Sequence, residues 1–259
     1  MEEVILNDLV SIITPSYNSE QYIAETIRCV LAQTYTNWEL LIVDDCSQDE
    51  SVKVIKGFDD ERIHLFYHSK NSGAAAARNL ALSKARGRWI AFLDSDDLWL
   101  PEKLEVQVAF MEENGYSFSY SKYLVMDEES GEETIVVSGP KHISKGRMYD
   151  SNWVGCLTVM YDQNVIGVLN IPSLRMHDDY ALWLKAIHFA DCHLCPHVLA
   201  RYRKRSNSVS RISKFLLLRY LYIMLRESDN RSRFVSFVYT VRNALWSIYK
   251  KKVYYKAIR

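Results

Sequence analysis

Two hydrophobic rhythms alternate along the N-terminal part of the chain. Leu9–Ile13, Leu40–Val43, Ile63–Tyr67 and Trp89–Leu93 are short, mainly apolar runs bounded by polar stops, the first of them β-branched. Runs of that kind predict buried strands. Between them apolar residues recur at helical spacing, as in Ile23, Ile27, Val30 and Leu31 within Tyr22–Gln33. Gln48 to about Phe58 reads as a second helix, and Asn71–Asn79 opens a third. Strand and helix alternating at this spacing predict a parallel sheet with right-handed crossovers. A helix then runs from Pro101 to the Asn114-Gly115 cap pair. Phe118–Val125 and Thr134–Val137, joined through Asp127–Gly131, predict an antiparallel hairpin. Residues 138–157 are irregular and long enough to fold over a ligand. A strand at Thr158–Tyr161, an amphipathic helix through Leu182, Lys185, Ala186 and Phe189, and a last strand at Val198–Tyr202 follow. The expected class is α/β, with a Rossmann-like, mostly parallel central sheet flanked by helices and a small antiparallel insertion. Residues 1–211 form that domain and 212–259 a helical C-terminal extension.

Charge sharpens the division. The 259 residues carry 32 basic and 32 acidic side chains, so no overall field points to nucleic acid. The segment Arg211–Arg259, however, holds 12 Lys/Arg against 2 Asp/Glu, which leaves a body of net −10 and a tail of net +10. The tail's apolar runs, Phe215–Leu218 and Tyr220–Leu225, are too short to span a bilayer. Trp246, Tyr249, Tyr254 and Tyr255 alternate with Lys250–Lys252 there, a pattern suited to lying on an anionic membrane surface. Packing on the body or on a second subunit, as in a homo-oligomer, gives the same pattern. Five cysteines make no even disulfide framework and the first residues are acidic rather than leader-like, so a cytoplasmic location is expected. Cys192-x-x-Cys195, near His188, His193 and His197, raises zinc, but without a second pair ordinary packing explains it better.

The candidate chemistry sits where the predicted strands end. Trp89–Leu93 stops abruptly in Asp94-Ser95-Asp96-Asp97, and ligands of open α/β sheets collect at the carboxyl ends of strands. Three carboxylates so close repel one another unless cations or donors offset them. Oxygen-only ligands suit a hard divalent ion, Mn or Mg, shared with substrate phosphates. The same acids also suit the start of the following helix. The first two strands end on the same edge, which brings Tyr17 and Asp45 to that crevice. Arg78, one turn into an Ala-rich helix, has the fork to hold a diphosphate. Asp178 and Asp179 open another helix, where the dipole favours acids and where one of them facing the crevice would serve as a general base.

VSIITPSYN, NWELLIVDDCS, NSGAAAARN, WIAFLDSDDLWLPEKL and HDDYALWLK, in this order and spacing, resemble the inverting family 2 glycosyltransferases of GT-A fold. The likeness covers roughly Leu9 to Ser210 and is to bacterial enzymes of O-antigen, capsule and teichuronic-type polysaccharide synthesis. It implies that Pro15 and Tyr17 border the uracil of a UDP-sugar, with Asp45 bonded to its ring edge and Arg78 near the nucleotide. Asp94 would face the ribose, Ser95 would join the donor contacts, and Asp96 would bind the metal. Of the pair Asp178-Asp179, Asp179 would take the proton from the acceptor hydroxyl. A hexose would then pass with inversion to a lipid-diphosphate-linked saccharide at the inner face of the cytoplasmic membrane. Two departures stand out. Ala181 occupies a place where many relatives carry another acid, and Arg205 stands where many carry a metal-binding His, which directs Arg205 to the diphosphate instead. A nucleotidyltransferase and a non-catalytic membrane-bound scaffold are the competing readings. Paired acids at Asp178 argue against the first, and the intact Asp94-x-Asp96 against the second.

Overall fold

The computed structural model describes residues 6–205 and 213–258. Its strands and helices follow in order: β1 Leu6–Ser16, α1 Ile23–Leu31, β2 Trp38–Asp44, α2 Ser51–Lys56, β3 Ile63–Tyr67, α3 Ala74–Leu82, β4 Gly87–Phe92 and β5 Leu98–Trp99. Then come α4 Lys103–Asn114, β6 Phe118–Asp127, β7 Glu133–Val137, β8 His142–Ile143, α5 Lys145–Met148, β9 Met160–Asp162 and α6 Gln163–Ile166. The chain closes with α7 Asp178–Ala186, β10 Cys192–Lys204, α8 Lys214–Glu227, α9 Arg233–Tyr254 and β11 Tyr255–Ala257.

Among the described residues the strands form one sheet whose main path runs β11-β7-β6-β9-β4-β1-β2-β3, with β10 beside β6. The half built from β3, β2, β1 and β4 is parallel throughout. It is buried on both faces, and this explains the unbroken apolar runs. Ile13, Leu41, Val43, Ile90 and Phe92 point into one core, while Val10, Ile12, Leu40, Ile42, Trp89 and Ala91 point into the other. The period-two alternation of each strand therefore divides a uniformly apolar run between two cores.

Antiparallel pairing extends further than the β6–β7 hairpin that sequence patterning indicates, since β9 lies antiparallel to both β4 and β6. The final strand is also longer than Val198–Tyr202: β10 begins at Cys192, so Cys192 and Cys195 both belong to the sheet. The tail supplies another departure. Its two helices lead into β11, which pairs antiparallel with the edge strand β7. An edge strand is thereby covered. Leu221, Met224 and Leu225 of α8 enter the same core as Phe92 and Trp183. No helix among the described residues is long and apolar enough to cross a membrane.

Candidate active site

The carboxyl ends of β1, β2 and β4 open onto one edge of the sheet, and three loops are fixed there by backbone-directed bonds. After β4, the turn Asp94–Asp97 closes with Asp97 N donating to the Asp94 carbonyl at 3.1 Å. Thr26 Oγ1 donates to the carbonyls of Ser95 and Asp97, each at 3.0 Å. From the far side the end of β10 grips the same turn, Arg203 N donating to Asp97 Oδ1 and Arg203 Nε to the Asp96 carbonyl, both at 2.9 Å. The acidic turn is thus held by its backbone, which leaves the carboxylates of Asp94 and Asp96 to be paired separately.

Arg78 supplies the first pairing. Small residues make its position accessible, because Ala75, Ala77 and Ala81 let α3 pack closely on the sheet. Its guanidinium, 7% exposed, donates through Nη2 to Asp94 Oδ1 at 2.5 Å and through Nη1 to Asp178 Oδ2 at 2.8 Å. Its Nε is buried and has no hydrogen-bond partner among the described residues. Arg205 supplies the second pairing, donating to Asp96 Oδ2 at 2.9 Å while stacking 4.6 Å over the Tyr22 ring. Burial first and the neighbouring Asp94 charge second push the Asp96 carboxyl above the usual carboxylate range. Buried Asp97 is pushed well above it by burial and by the same two neighbours.

Asp178 and Asp179 are carried by α7, which follows His177 in a left-handed conformation with φ 64°. The helix is pinned at its core face by Trp183, whose ring meets Phe92 edge-on at 5.3 Å. It is pinned again by Tyr180, whose hydroxyl donates to the Met148 carbonyl at 2.6 Å. Asp179 Oδ1 accepts from Tyr180 N at 2.7 Å. The Asp179 carboxyl is enclosed by protein although the residue keeps some surface on the cavity. That enclosure first, and the charge of Asp178 second, raise its pKa above the ordinary range, with Arg78 and His177 opposing.

Arg78, Asp94, Asp97, Asp178 and Asp179 line one cavity of about 720 Å³. Other sequence-predicted residues are arranged around it. Asp96 and Arg205 face each other to one side. Asp45 is buried and fully engaged: Oδ1 accepts from His68 Nδ1 at 2.7 Å and from Ser72 N at 2.9 Å, and Oδ2 accepts from Gly73 N at 2.6 Å. Asp45 therefore shapes the loop whose Ser72 and Gly73 line the cavity, and Gly73 is needed there because its φ is 88°. Pro15 is buried at the end of β1, Tyr17 is 48% exposed beyond it, and neither lines the cavity.

Sequence patterning passed over several contributors. Tyr22 donates to Glu128 in the hairpin turn, and Arg203 pairs with Glu25, so the β6–β7 insertion and α1 both brace the Arg205 side of the site. Cys156, beside Arg78 and Asp94 and with its thiol pushed well up by burial, and Leu217 from α8 also line the cavity. The hairpin turn is a surface loop in sequence, and its link to Asp96 exists only in three dimensions. Residues 206–212, which include the expected start of the C-terminal extension at Ile212, lie outside the described residues. Cys192 and Cys195 are free, His193 stacks on Tyr116 at 3.6 Å, and among the described residues no group of three or more His, Cys, Asp or Glu is gathered to hold a metal.

Comparison with known proteins fits this architecture. The family model described as "Glycosyl transferase family 2" matches residues 11–156. TuaG of Bacillus subtilis (strain 168), a glycosyltransferase assigned to teichuronic acid biosynthesis, is 41% identical over 205 residues, covering 78% of this chain and 81% of its own. WfgD of Escherichia coli, a UDP-Glc:α-D-GlcNAc-diphosphoundecaprenol β-1,3-glucosyltransferase, is 40% identical over 204 residues, covering 78% and 79%. S. aureus TarS 1–349, solved in complex with UDP-GlcNAc, superposes with a TM-score of 0.67 at 22% identity over 88% of this chain and 69% of that one. The last likeness speaks for the fold, a central sheet flanked by helices in the GT-A manner. By both the family match and the extent of its curated relatives, the chain belongs to glycosyl transferase family 2.

Proposed function

We propose that this protein moves a hexose from a UDP-sugar to a hydroxyl of a lipid-diphosphate-linked saccharide, with inversion, in the synthesis of a surface polysaccharide. The observation that carries the reading is the Arg78 fork joining Asp94 of the acidic turn to Asp178 of α7, on the cavity that Asp179 also lines. It couples the donor side of the site to the helix that carries Asp179, the residue best suited to be the base. Asp179 takes the acceptor proton as that oxygen attacks the anomeric carbon, and its raised pKa suits a carboxylate for that transfer. A single in-line displacement from an α-linked donor gives a β-glycoside. Pro15, Tyr17 and Ser95 sit on the nucleotide side, and Asp45 acts there through the Ser72–Gly73 loop it holds. Relatives named for UDP-glucose and for a GlcNAc-diphospholipid support the donor and acceptor classes.

The residues fit a divalent cation. Asp96 presents oxygen only, on a turn where burial first and the neighbouring acids second raise the carboxyls of Asp96 and Asp97. One or two carboxylates plus substrate phosphates is the ordinary binding mode of Mg and, by the same oxygen chemistry, of Mn. Asp96 would hold the ion, with Asp94 beside it, and when bound it would offset charge developing on the departing diphosphate. Arg205 already neutralises Asp96 and is placed to turn to that diphosphate. Asp96→Ala is expected to abolish the Mn-dependent rise in thermal midpoint caused by UDP, a shift that reports binding by mass action. A shift that persists undiminished would remove Asp96 from the metal site.

The tail extends the reading to the membrane. Phe234, Phe237, Val241, Leu245 and Ile248 follow one another at steps of three and four along α9, and all are exposed. With no acid anywhere in α9 and Lys251 and Lys252 in its last turn, that face suits an anionic lipid surface at the inner side of the membrane. Replacing both Phe237 and Leu245 with Asp should prevent flotation with phosphatidylglycerol vesicles at low salt. Unchanged flotation would contradict this part.

A further inference from the structure

A second concavity, of about 400 Å³, lies between α8 and α9. Its body is apolar, formed by Leu217, Leu218, Leu221, Ala244 and Ile248. Lys214 and Lys251 line it as well, and no carboxylate does among the described residues. It adjoins the catalytic cavity, with His177 and Leu217 lining both. The junction is a fixed one: His177 Nε2 lies 3.1 Å from the Leu217 carbonyl, and α9 is tied to α7 by Asn243 Nδ2 donating to the Tyr180 hydroxyl at 3.2 Å.

From this adjacency and this charge pattern we infer that the α8–α9 groove binds the prenyl-diphosphate part of the acceptor. The inference rests on the acceptor class proposed above. With the acceptor hydroxyl beside Asp179, the rest of the molecule must leave the cavity over one of its walls, and a groove of matching chemistry lies on the other side of the wall made by His177 and Leu217. The diphosphate needs cations the donor does not use. Arg78 is committed to Asp94 and Asp178, and Arg205 to Asp96, whereas Lys214 and Lys251 line the groove itself. The hydrocarbon needs apolar surface out of water, which the leucines and Ile248 supply. Ile248 also belongs to the exposed α9 stripe, so the groove lies beside the surface proposed to meet the bilayer, and the hydrocarbon stays on apolar surface while the sugar reaches toward Asp179.

The test uses the full chain with UDP-glucose and three acceptors, GlcNAc-diphosphate carrying a methyl, a geranyl or a farnesyl group. The kcat/KM should climb roughly tenfold or more from methyl to farnesyl, mainly through KM, a factor equal to about 1.4 kcal/mol. Ile248→Asp and Leu218→Asp should flatten that climb. Lys214→Glu with Lys251→Glu should raise KM for all three acceptors. Farnesyl diphosphate alone should compete with the acceptor and not with UDP-glucose, a measurement on the unaltered protein that stands even if a variant fails to fold. Equal kcat/KM for methyl and farnesyl acceptors, or a climb unchanged in the groove variants, would overturn the groove while leaving the transferase reading intact. So would an Ile248→Asp chain that loses only vesicle binding or self-association, since the face would then be a membrane or subunit contact. No transfer to any acceptor, with UDP still bound, would sink the acceptor class and the groove with it.

Discussion

Asp179→Asn is expected to lower kcat by about 10²–10⁴-fold, the usual worth of a positioned general base, while the thermal shift given by UDP and Mn stays nearly whole. The amide keeps the shape and the bond accepted from Tyr180 N but cannot take a proton. The pH profile gives the sign. A base works only when deprotonated, and the Asp179 pKa is raised in the folded protein, so the acidic limb of kcat/KM should fall above the range of an ordinary carboxylate. Asp178 is among the causes of the rise, so in Asp178→Asn that limb should move to lower pH. Loss of UDP binding in Asp179→Asn would show that the residue serves the donor and not the acceptor.

Arg78→Met should be the most destabilising of the site substitutions. The guanidinium is buried between two carboxylates, and removing one partner of a buried pair leaves the others uncompensated at a cost of about 3–5 kcal/mol. Asp94 and Asp178 retain contact with the cavity, which places the expected loss near the low end, about 3 kcal/mol in urea unfolding at pH 7. Arg78→Lys keeps one charge but cannot span both acids, so it should fall between the two. Wild-type stability in Arg78→Met would mean that the Asp94–Arg78–Asp178 bridge is not what couples the acidic turn to α7.

Much of this site could be read in one dimension because its residues stand at strand ends. Asp94, Asp96 and Asp45 follow apolar runs whose direction and order fix the edge of the sheet they share. Asp178 and Asp179 open a helix whose core face, Tyr180 and Trp183, is plainly apolar. The sequence did not reveal which of these groups pair. Asp45 looked like a ligand contact, yet its oxygens are taken by His68, Ser72 and Gly73, all more than twenty residues away in sequence. Tyr22, Glu128 and Arg203 meet around Arg205 and the acidic turn only because the β6–β7 hairpin and the end of β10 cross the sheet edge together. The tail was the hardest to read. Alternating aromatics and lysines suit a membrane, a partner or the protein's own body, and α8 and α9 use both kinds of face. Leu221 and Met224 are buried in the core while Phe237 and Leu245 remain outside. Tyr255–Ala257, three residues beside a lysine run, carried no strand signal, and only the vacant edge of β7 makes them one.

Transfer with inversion onto a diphospholipid-linked sugar is read most directly from the anomeric configuration of the product. The protein, UDP-glucose, Mn and farnesyl-diphosphate-linked GlcNAc would be combined, and the new glycosidic linkage read by proton NMR. A β-glucoside with release of UDP is expected, and no product from Asp179→Asn on the same timescale. An α-glucoside would contradict the single displacement assigned to Asp179. Release of inorganic diphosphate from UTP and glucose 1-phosphate, with no glycoside formed, would instead make the protein a nucleotidyltransferase.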